Sequence, residues 1–300
     1  MWILFSLLSA CLLGLYDVFK KQSLKENAVI PILLINCCFC TLIFLPFIIL
    51  SHVGTIEEGS VLFIPRGDAH AHLLVVLKSF IVLSSWICGY FAIKHLPLTM
   101  VGPINATRPV MTMIGALLIF GEKLNLWQWA GVIIAIIAFF LLSRSGKKEG
   151  ISFSKNHWIW LMIAAAILGA ISGLYDKYLI ANAGLDRLFV QGWYNLYQSI
   201  IMLVVLLVLW MPSRNKTTPF EWKWTIPMVS LFLTAADLAY LYALSIPGAM
   251  ISVVSMVRRS SVIVSFTFGA LLFHEKNLKG KVIDLVLVLL SLACLLIGTL

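Results

Sequence analysis

Ten long apolar segments constrain the fold of this chain more than any other feature. About 20 apolar residues cross the hydrocarbon core of a bilayer as a helix, and backbone polar groups in lipid must be bonded within the protein itself. The sequence therefore predicts an all-α integral membrane protein with ten transmembrane helices. The predicted spans are 2–19, 30–50, 72–93, 98–120, 126–143, 157–179, 189–211, 225–245, 249–273 and 282–299.

The composition supports this prediction and excludes several partners. Hydrophobic residues make up 61% of the chain and charged residues only 12%, whereas a soluble domain has about 25% charged residues. The net charge of +9 comes from residues scattered between apolar segments, which is not the basic stripe of a nucleic-acid-binding protein. The six cysteines lack the paired spacing of a zinc site. We expect the lipid bilayer as a partner, no nucleic acid, no metal and no cofactor.

Two halves of the chain share short motifs. The tetrapeptide Gly-Leu-Tyr-Asp occurs at 14–17 and again at 173–176, and the same offset carries Asn36 onto Asn195. The tetrapeptide Gly-Ala-Leu-Leu occurs at 115–118 and at 269–272. This pattern predicts a first five-helix repeat at 1–143, a basic linker at 144–156 and a second five-helix repeat at 157–300.

An odd number of spans in each repeat has a topological consequence. The second repeat must enter the membrane upside down relative to the first. Inverted repeats place a binding site at their interface, near the bilayer midplane, and support alternating access.

Loop charges predict the orientation of the chain. Fourteen lysines and arginines follow spans 1, 3, 5, 7 and 9, and three lie on the opposite side. Because positive loops stay in the cytoplasm, both termini are expected outside it.

The ends of the fourth spans of the two repeats suggest a family. Gly-Glu-Lys-Leu at 121–124 and His-Glu-Lys-Asn at 274–277 each precede a glycine-containing fifth span, with Gly131 and Gly280. This arrangement resembles the EamA-type members of the drug/metabolite transporter superfamily. The resemblance implies a ten-helix transporter and does not indicate a substrate. It also implies cytoplasmic termini, which is opposite to the orientation given by the loop charges. We retain the orientation given by the loop charges.

Three arginines inside predicted spans are the main candidates for substrate binding. They are Arg108 in span 4 and the adjacent Arg258 and Arg259 in span 9. A charge at the centre of a membrane helix costs about 2.5–3.5 kcal/mol on insertion scales. The arginines therefore either bind an anion in a central cavity or form salt bridges between helices. Adjacent helical residues point about 100° apart, so we expect one of the pair to line the cavity and the other to contact a neighbouring helix. The segment 257–262 is also similar to the basic pair with which plastid sugar-phosphate translocators hold phosphate.

Four further side chains complete the predicted substrate site. Asp237 is a candidate ion-pair partner or proton carrier, and pairing is favoured because a carboxylate beside cations stays ionised. Trp86, Tyr90 and Tyr240 lie deep enough in their spans to line a cavity, although core packing is an alternative for each.

The duplicated residues are expected to serve gating or helix packing rather than chemistry. Asp17 has Lys20 and Lys21 within one helical turn, whereas Asp176 has no comparable local partner. Interhelical hydrogen bonds are expected for the duplicated asparagines. Glu122 and Glu275 are expected to cap the helices that follow them. The full gating and packing set is Tyr16, Asp17, Asn36, Tyr175, Asp176 and Asn195.

The sequence as a whole favours a secondary active transporter, either a permease or an exporter, and no enzyme activity. The expected substrate is a small polar, anionic metabolite, and the coupling partner is a proton or a counter-substrate. Transport of neutral or cationic metabolites or drugs is one alternative. A lipid-modifying membrane enzyme or a non-catalytic membrane partner is another. We expect the protein in the inner (plasma) membrane of the cell.

Overall fold

The structure is a computed structural model that describes residues 2–60, 62–120, 124–147, 155–246, 254, 257–273 and 278–298. Regular secondary structure in this part of the chain is entirely helical. The helices longer than one turn are α1 (Trp2–Leu24), α2 (Val29–Val53), α3 (Ala69–His95), α4 (Leu98–Ala106), α5 (Arg108–Phe120), α6 (Leu126–Lys147), α7 (His157–Lys177), α8 (Arg187–Val205), α9 (Thr225–Ser245), α10 (Ser261–Leu272) and α11 (Leu278–Ile297). Wider turns extend α7 through Tyr178–Asn182 and α8 through Leu206–Trp210.

Several of these helices are membrane spans by length and hydropathy. Six are long and apolar enough to cross a bilayer: Trp2–Leu24, Val29–Val53, Ala69–His95, His157–Ile180, Arg187–Lys216 and Leu278–Ile297. Two shorter apolar helices, Leu126–Ala138 and Thr225–Tyr240, lie within the fifth and eighth predicted spans. The chain is therefore a multi-pass integral membrane protein.

The fourth predicted span differs from the expectation because it is not one continuous helix. A turn at Thr107 separates α4 from α5, immediately before Arg108. Pro109 has no N–H to donate to the carbonyl group of Asn105, so the regular hydrogen-bond pattern cannot continue through this point. The Thr107 hydroxyl donates instead to the Ile104 carbonyl oxygen at 2.7 Å.

The ninth predicted span is interrupted at a similar place. Residues 257–259 are helical, Ser260 forms a turn, and α10 begins at the next residue. Residues 249–253, 255 and 256 of this predicted span lie outside the described residues. In both spans the interruption is next to the arginines that the sequence singled out, which places irregular backbone beside the candidate site.

The first span is longer than predicted. Helix α1 continues to Leu24, so Lys20 and Lys21 belong to the helix rather than to the following loop. The Lys21 ammonium donates to the carbonyl oxygens of Ile93 (2.5 Å) and Leu96 (2.6 Å) at the end of α3. Basic side chains are stable near helix C-termini, where carbonyl groups lack partners, so a positive residue there does not end the helix.

Helices of the first half pack against helices of the second half throughout the molecule. The packed pairs are α1 with α9, α2 with α8, α3 with α7, α4 with α10 and α6 with α11. Along α1 and α9, the Ser9 hydroxyl donates to the Ala236 carbonyl oxygen at 2.6 Å, and the Ser23 hydroxyl donates to Thr225 at 2.7 Å. These contacts show that α1 and α9 run antiparallel. The largest hydrophobic cluster accordingly contains residues of both halves, such as Leu83 and Tyr90 of α3 and Ile159 and Met162 of α7.

Helices α6 and α11, the fifth and tenth predicted spans, also run antiparallel. The Ser291 hydroxyl donates to the Gly131 carbonyl oxygen at 2.7 Å, and the Asn125 amide donates to the Gly298 carbonyl oxygen at 2.6 Å. These two contacts show that the two helices pack side by side and point in opposite directions.

Candidate functional site

Arg108 is the first residue of α5 and directly follows the turn at Thr107. It is the central residue of the candidate site. Its side chain lies against Gly169 of α7, and its Nη2 donates to the Ala165 carbonyl oxygen at 3.3 Å. A Cβ on residue 169 would be 2.7 Å from the guanidinium carbon, so only glycine leaves room for Arg108 in this position. Gly169 is midway along α7, which places this charge midway between the two ends of that helix.

Arg258 binds a neighbouring helix. Its Nη2 donates to Oδ1 of Asp237 on α9 in an ion pair. Its guanidinium carbon lies 4.8 Å from the centre of the Tyr240 ring, within range of a cation–π interaction. Both charged side chains remain partly exposed, 18% for Arg258 and 20% for Asp237. Asp237 therefore lies in an ion pair at the site.

Arg259 connects the other two arginines. It interacts electrostatically with Arg108 and Arg258, and also with Tyr240 and Asp17. Arg108 likewise interacts with Asp17 and Tyr16 of α1. Arg108 and Arg259 are surrounded by protein and yet keep some accessible surface. The three arginines, which come from two separate regions of the sequence, thus form one positively charged cluster in the interior.

The arginine cluster has donors that the described protein groups do not use. The Nε atoms of Arg108 and Arg258 are buried and have no hydrogen-bond acceptor among the described residues. A guanidinium group carries five N–H donors in a fixed planar arrangement that suits carboxylate and phosphate oxygens. Two N–H donors of the cluster are therefore not used by any described protein group.

Beside the cluster, Tyr16 and Asp17 form a compact group with α3. Lys20 lies 2.7 Å from the Asp17 carboxylate, and its ammonium is 4.1 Å from the centre of the Tyr16 ring. The hydroxyl groups of Tyr16 and Tyr90 are 3.4 Å apart, and Tyr90 is only 1% exposed. The local ion pair expected from the spacing of Asp17 and Lys20 is present.

Asp176 has a partner that the spacing of the sequence did not indicate. Lys78 of α3 lies 2.6 Å from its carboxylate and 4.8 Å from the centre of the Tyr194 ring. The preceding Tyr175 donates its hydroxyl to the Leu74 carbonyl oxygen at 3.2 Å. The sequence did contain a signal for Lys78, since it is a single lysine inside an otherwise apolar span. Both copies of Asp thus form an ion pair, one locally and one with another helix.

The two duplicated asparagines behave differently. Asn36 accepts a hydrogen bond from the Ser230 hydroxyl of α9 at 3.0 Å, so it joins two helices as expected. The Asn195 amide instead donates to the Gln191 carbonyl oxygen of its own helix at 3.0 Å. Its interhelical contact is made by its backbone carbonyl, which accepts from the Thr41 hydroxyl at 2.8 Å. The interhelical prediction for the Asn195 side chain is wrong because a carbonyl one turn back satisfies the amide.

Trp86 does not contact the arginines through any described interaction. It packs in a hydrophobic cluster with Tyr16, Cys40, Val229 and Leu233. Core packing, the alternative considered for this residue, is therefore its observed environment. Glu122 and Glu275, expected to cap helices, lie outside the described residues.

A basic cavity opens at the end of the molecule where α1 and α3 terminate. It has a volume of about 410 Å³ and is lined by Lys21, Lys25, Lys94, Leu272 and Phe273. The Lys21 ammonium donates to carbonyl groups at the end of α3. The Lys94 ammonium donates to the Thr218 hydroxyl at 2.7 Å. The cavity presents a positive surface with an apolar wall formed by the end of α10.

Comparisons with known proteins agree with this architecture. Residues 1–144 match the EamA-like transporter family, and residues 104–226 match the CRT-like, chloroquine-resistance transporter-like family. A Sinorhizobium protein described as "Uncharacterized transporter in cobO 3'region" is 28% identical over 144 residues, 47% of this chain and 96% of that protein. A solved structure titled "Crystal structure of protein" has a TM-score of 0.62 at 14% identity and covers 99% of this chain and 96% of its own. That likeness shows the fold alone. The family matches, together with the apolar helices, indicate a membrane transporter whose residues 1–144 are similar to the EamA-like family.

Proposed function

We propose that the protein is a secondary active transporter of a small polar, anionic metabolite, working by alternating access between two inverted five-helix repeats. The observation that carries this proposal is the interior cluster of Arg108, Arg258 and Arg259. Two of these arginines have a buried Nε without a described acceptor. Such groups attract an anion and repel cations, since each guanidinium keeps its charge.

The arrangement of the helices supports the mechanism. The antiparallel contacts between α6 and α11 are those expected of corresponding helices in inverted repeats. The interruptions beside Arg108 and Arg259 resemble the broken helices at which transporters bind substrate at mid-depth. The interface between the halves, rather than either half alone, contains the arginines.

The basic cavity supports the same substrate charge. Its three lysines lie where the ends of α1 and α3 meet, on the side to which the loop charges assign the cytoplasm. A positive entrance raises the local concentration of anions and increases their rate of association. We place the protein in the inner (plasma) membrane, where this side would face the cytoplasmic pool of metabolites.

Reconstitution into proteoliposomes tests the proposal. Purified protein should give saturable uptake or exchange with at least one member of a panel of small carboxylates and phosphorylated solutes. Arg108→Gln and Arg259→Gln should abolish this flux while the protein remains folded in the membrane. Arg214→Gln, which changes an exposed arginine in the short helical turn Arg214–Lys216, is the matched control. Saturable flux of cationic or neutral solutes only, unaffected by both interior substitutions, would contradict the proposal.

A further inference from the structure

The charges around the arginine cluster do not balance. Segments 29–53, 69–95, 98–120, 187–205 and 249–273 contain no aspartate or glutamate. The helices α1, α7 and α9 contain one carboxylate each, namely Asp17, Asp176 and Asp237. These segments and helices therefore contain three carboxylates in total, and this count is taken from the full sequence.

Each of these carboxylates already has a cation. Asp17 pairs with Lys20 at 2.7 Å, Asp176 pairs with Lys78 at 2.6 Å, and Asp237 pairs with Arg258. On α11, the buried Asp284 lies one turn from the buried Lys281, so their opposite charges offset each other locally. Among the residues that the structure describes, Arg108 and Arg259 form no ion pair with a carboxylate.

These two charges also act on each other. Arg259 interacts unfavourably with Arg108, because both are cations, and Asp17 only partly compensates while it is paired with Lys20. Holding like charges in a partly dehydrated interior is expensive unless a counter-charge is present. A monoanion would compensate one of the two charges, whereas a ligand with two negative charges would compensate both.

From this imbalance we infer that the arginine cluster selects dianions, the chemistry shared by phosphate monoesters and dicarboxylates, over monoanions of the same size. This inference rests on the proposed function and adds the charge of its substrate. The free Nε atoms of Arg108 and Arg258 provide donors to the ligand oxygens, and Tyr240 beside Arg258 provides an aromatic wall. Arg258 remains bound to Asp237, so Arg108 and Arg259 supply the two charges that the ligand neutralises.

Pairs of ligands that differ only in charge test the inference on the unmodified protein. Methyl phosphate is compared with methyl sulfate, and succinate with its monomethyl ester, by thermal stabilisation of purified protein and by inhibition of proteoliposome flux. We expect the dianion of each pair to bind at least about tenfold more tightly, a difference of roughly 1.4 kcal/mol. If the monoanions bind as tightly as the dianions, the inference is wrong although the proposed function stands. If no anion binds or is transported, the proposed function itself fails.

Acidification and charge removal provide two independent checks. Phosphate monoesters have a second pKa of about 6, so methyl phosphate should bind more weakly at pH 5 than at pH 7.5, while methyl sulfate should not. Measured by thermal stabilisation, Arg259→Gln should reduce the dianion preference about tenfold and retain binding of the monoanion. An equal loss of both ligands in Arg259→Gln, or the same pH dependence for both esters, would overturn the inference. Should Arg259→Gln fail to fold, Arg108→Gln serves the same comparison.

Discussion

The guanidinium group of Arg108 lies directly against the backbone of Gly169, where a single added methyl group would occupy its place. This contact joins α5 of the first half to α7 of the second half and fixes the depth of the charge in the molecule. It makes a glycine on α7 part of the candidate site, although glycine has no side chain of its own.

Gly169→Ala should therefore displace Arg108 without unfolding the protein. The clash is with the end of a flexible side chain, which can move, and alanine favours the helix relative to glycine. Losing one charge-assisted hydrogen bond of about 1.5–3 kcal/mol should raise the half-saturation concentration for the transported anion about tenfold or more. Proteoliposome flux at varied substrate concentration measures this change.

Gly173→Ala is the matched control for that experiment. A Cβ at residue 173 would meet only the Thr112 hydroxyl oxygen at 3.9 Å, which is an ordinary contact. Both substitutions add the same methyl group to the same helix, so both should raise helix stability similarly. Equal effects of the two substitutions on flux would show that the Arg108–Gly169 contact has no part in transport.

The ion pair between Arg258 and Asp237 should stabilise the fold as a unit. Asp237→Asn leaves Arg258 without its counter-charge, and Arg258→Gln leaves Asp237 without its own. Each single variant should lower the free energy of unfolding. The loss in the double variant should be smaller than the sum of the two single losses by a coupling energy of about 1–3 kcal/mol. Denaturation of the unmodified protein, the two single variants and the double variant in mixed micelles measures this coupling energy. Additive effects would mean that the pair contributes nothing beyond its separate residues.

The pair between Lys78 and Asp176 should contribute less. Asp176 is 38% exposed, so solvent screens the interaction, and removing its charge by Asp176→Asn should lower stability by about 1 kcal/mol or less. Lys78→Met keeps the apolar stem over Tyr194 and removes the charge. Combined with Asp176→Asn it should recover most of the loss, and thermal denaturation would show whether it does. No recovery in the double variant would assign the loss to packing around Tyr194 rather than to charge.

Ser230→Ala should have a small and measurable effect. It removes the hydrogen bond to the Asn36 side chain, and such interhelical bonds in membrane proteins average about 0.6 kcal/mol. Ser84→Ala is its control, because the Ser84 hydroxyl donates only to the Phe80 carbonyl oxygen of its own helix and is exposed. The free energy of unfolding of Ser230→Ala should therefore be lower than that of Ser84→Ala by about 0.6 kcal/mol. Identical values would indicate that Asn36 finds another partner.

The sequence predicted the membrane helices because their cause is local. Apolar length alone decides whether a segment can cross a bilayer, and the described helices follow most of the predicted spans. The turn at Thr107 was missed because the high hydropathy of 98–120 hid the effect of Pro109 on the hydrogen bonds of the helix. The extra length of α1 was missed because lysines were assigned to loops, although carbonyl groups of α3 bind Lys21.

The candidate site was only partly predictable because its contacts join distant parts of the chain. The insertion cost of a charge singled out Arg108, Arg258 and Arg259 without a structure. It could not indicate that Gly169 makes room for Arg108 or that Lys78 reaches Asp176, since both contacts depend on how α3 and α5 pack against α7. The different behaviour of Asn36 and Asn195 has the same origin, because the repeated motif is identical whereas the neighbours of each copy are not.

The pairing of α1 with α9 has a consequence for biosynthesis. During translation, Ser9 and Ser23 leave the ribosome about two hundred residues before Ala236 and Thr225, their hydrogen-bonding partners. Until α9 is synthesised, α1 must therefore remain in the translocon or among lipids, and these hydroxyl groups must form hydrogen bonds with other acceptors. Premature termination within the second half would leave the first five spans inserted yet unassembled, and exposed to membrane quality-control proteases.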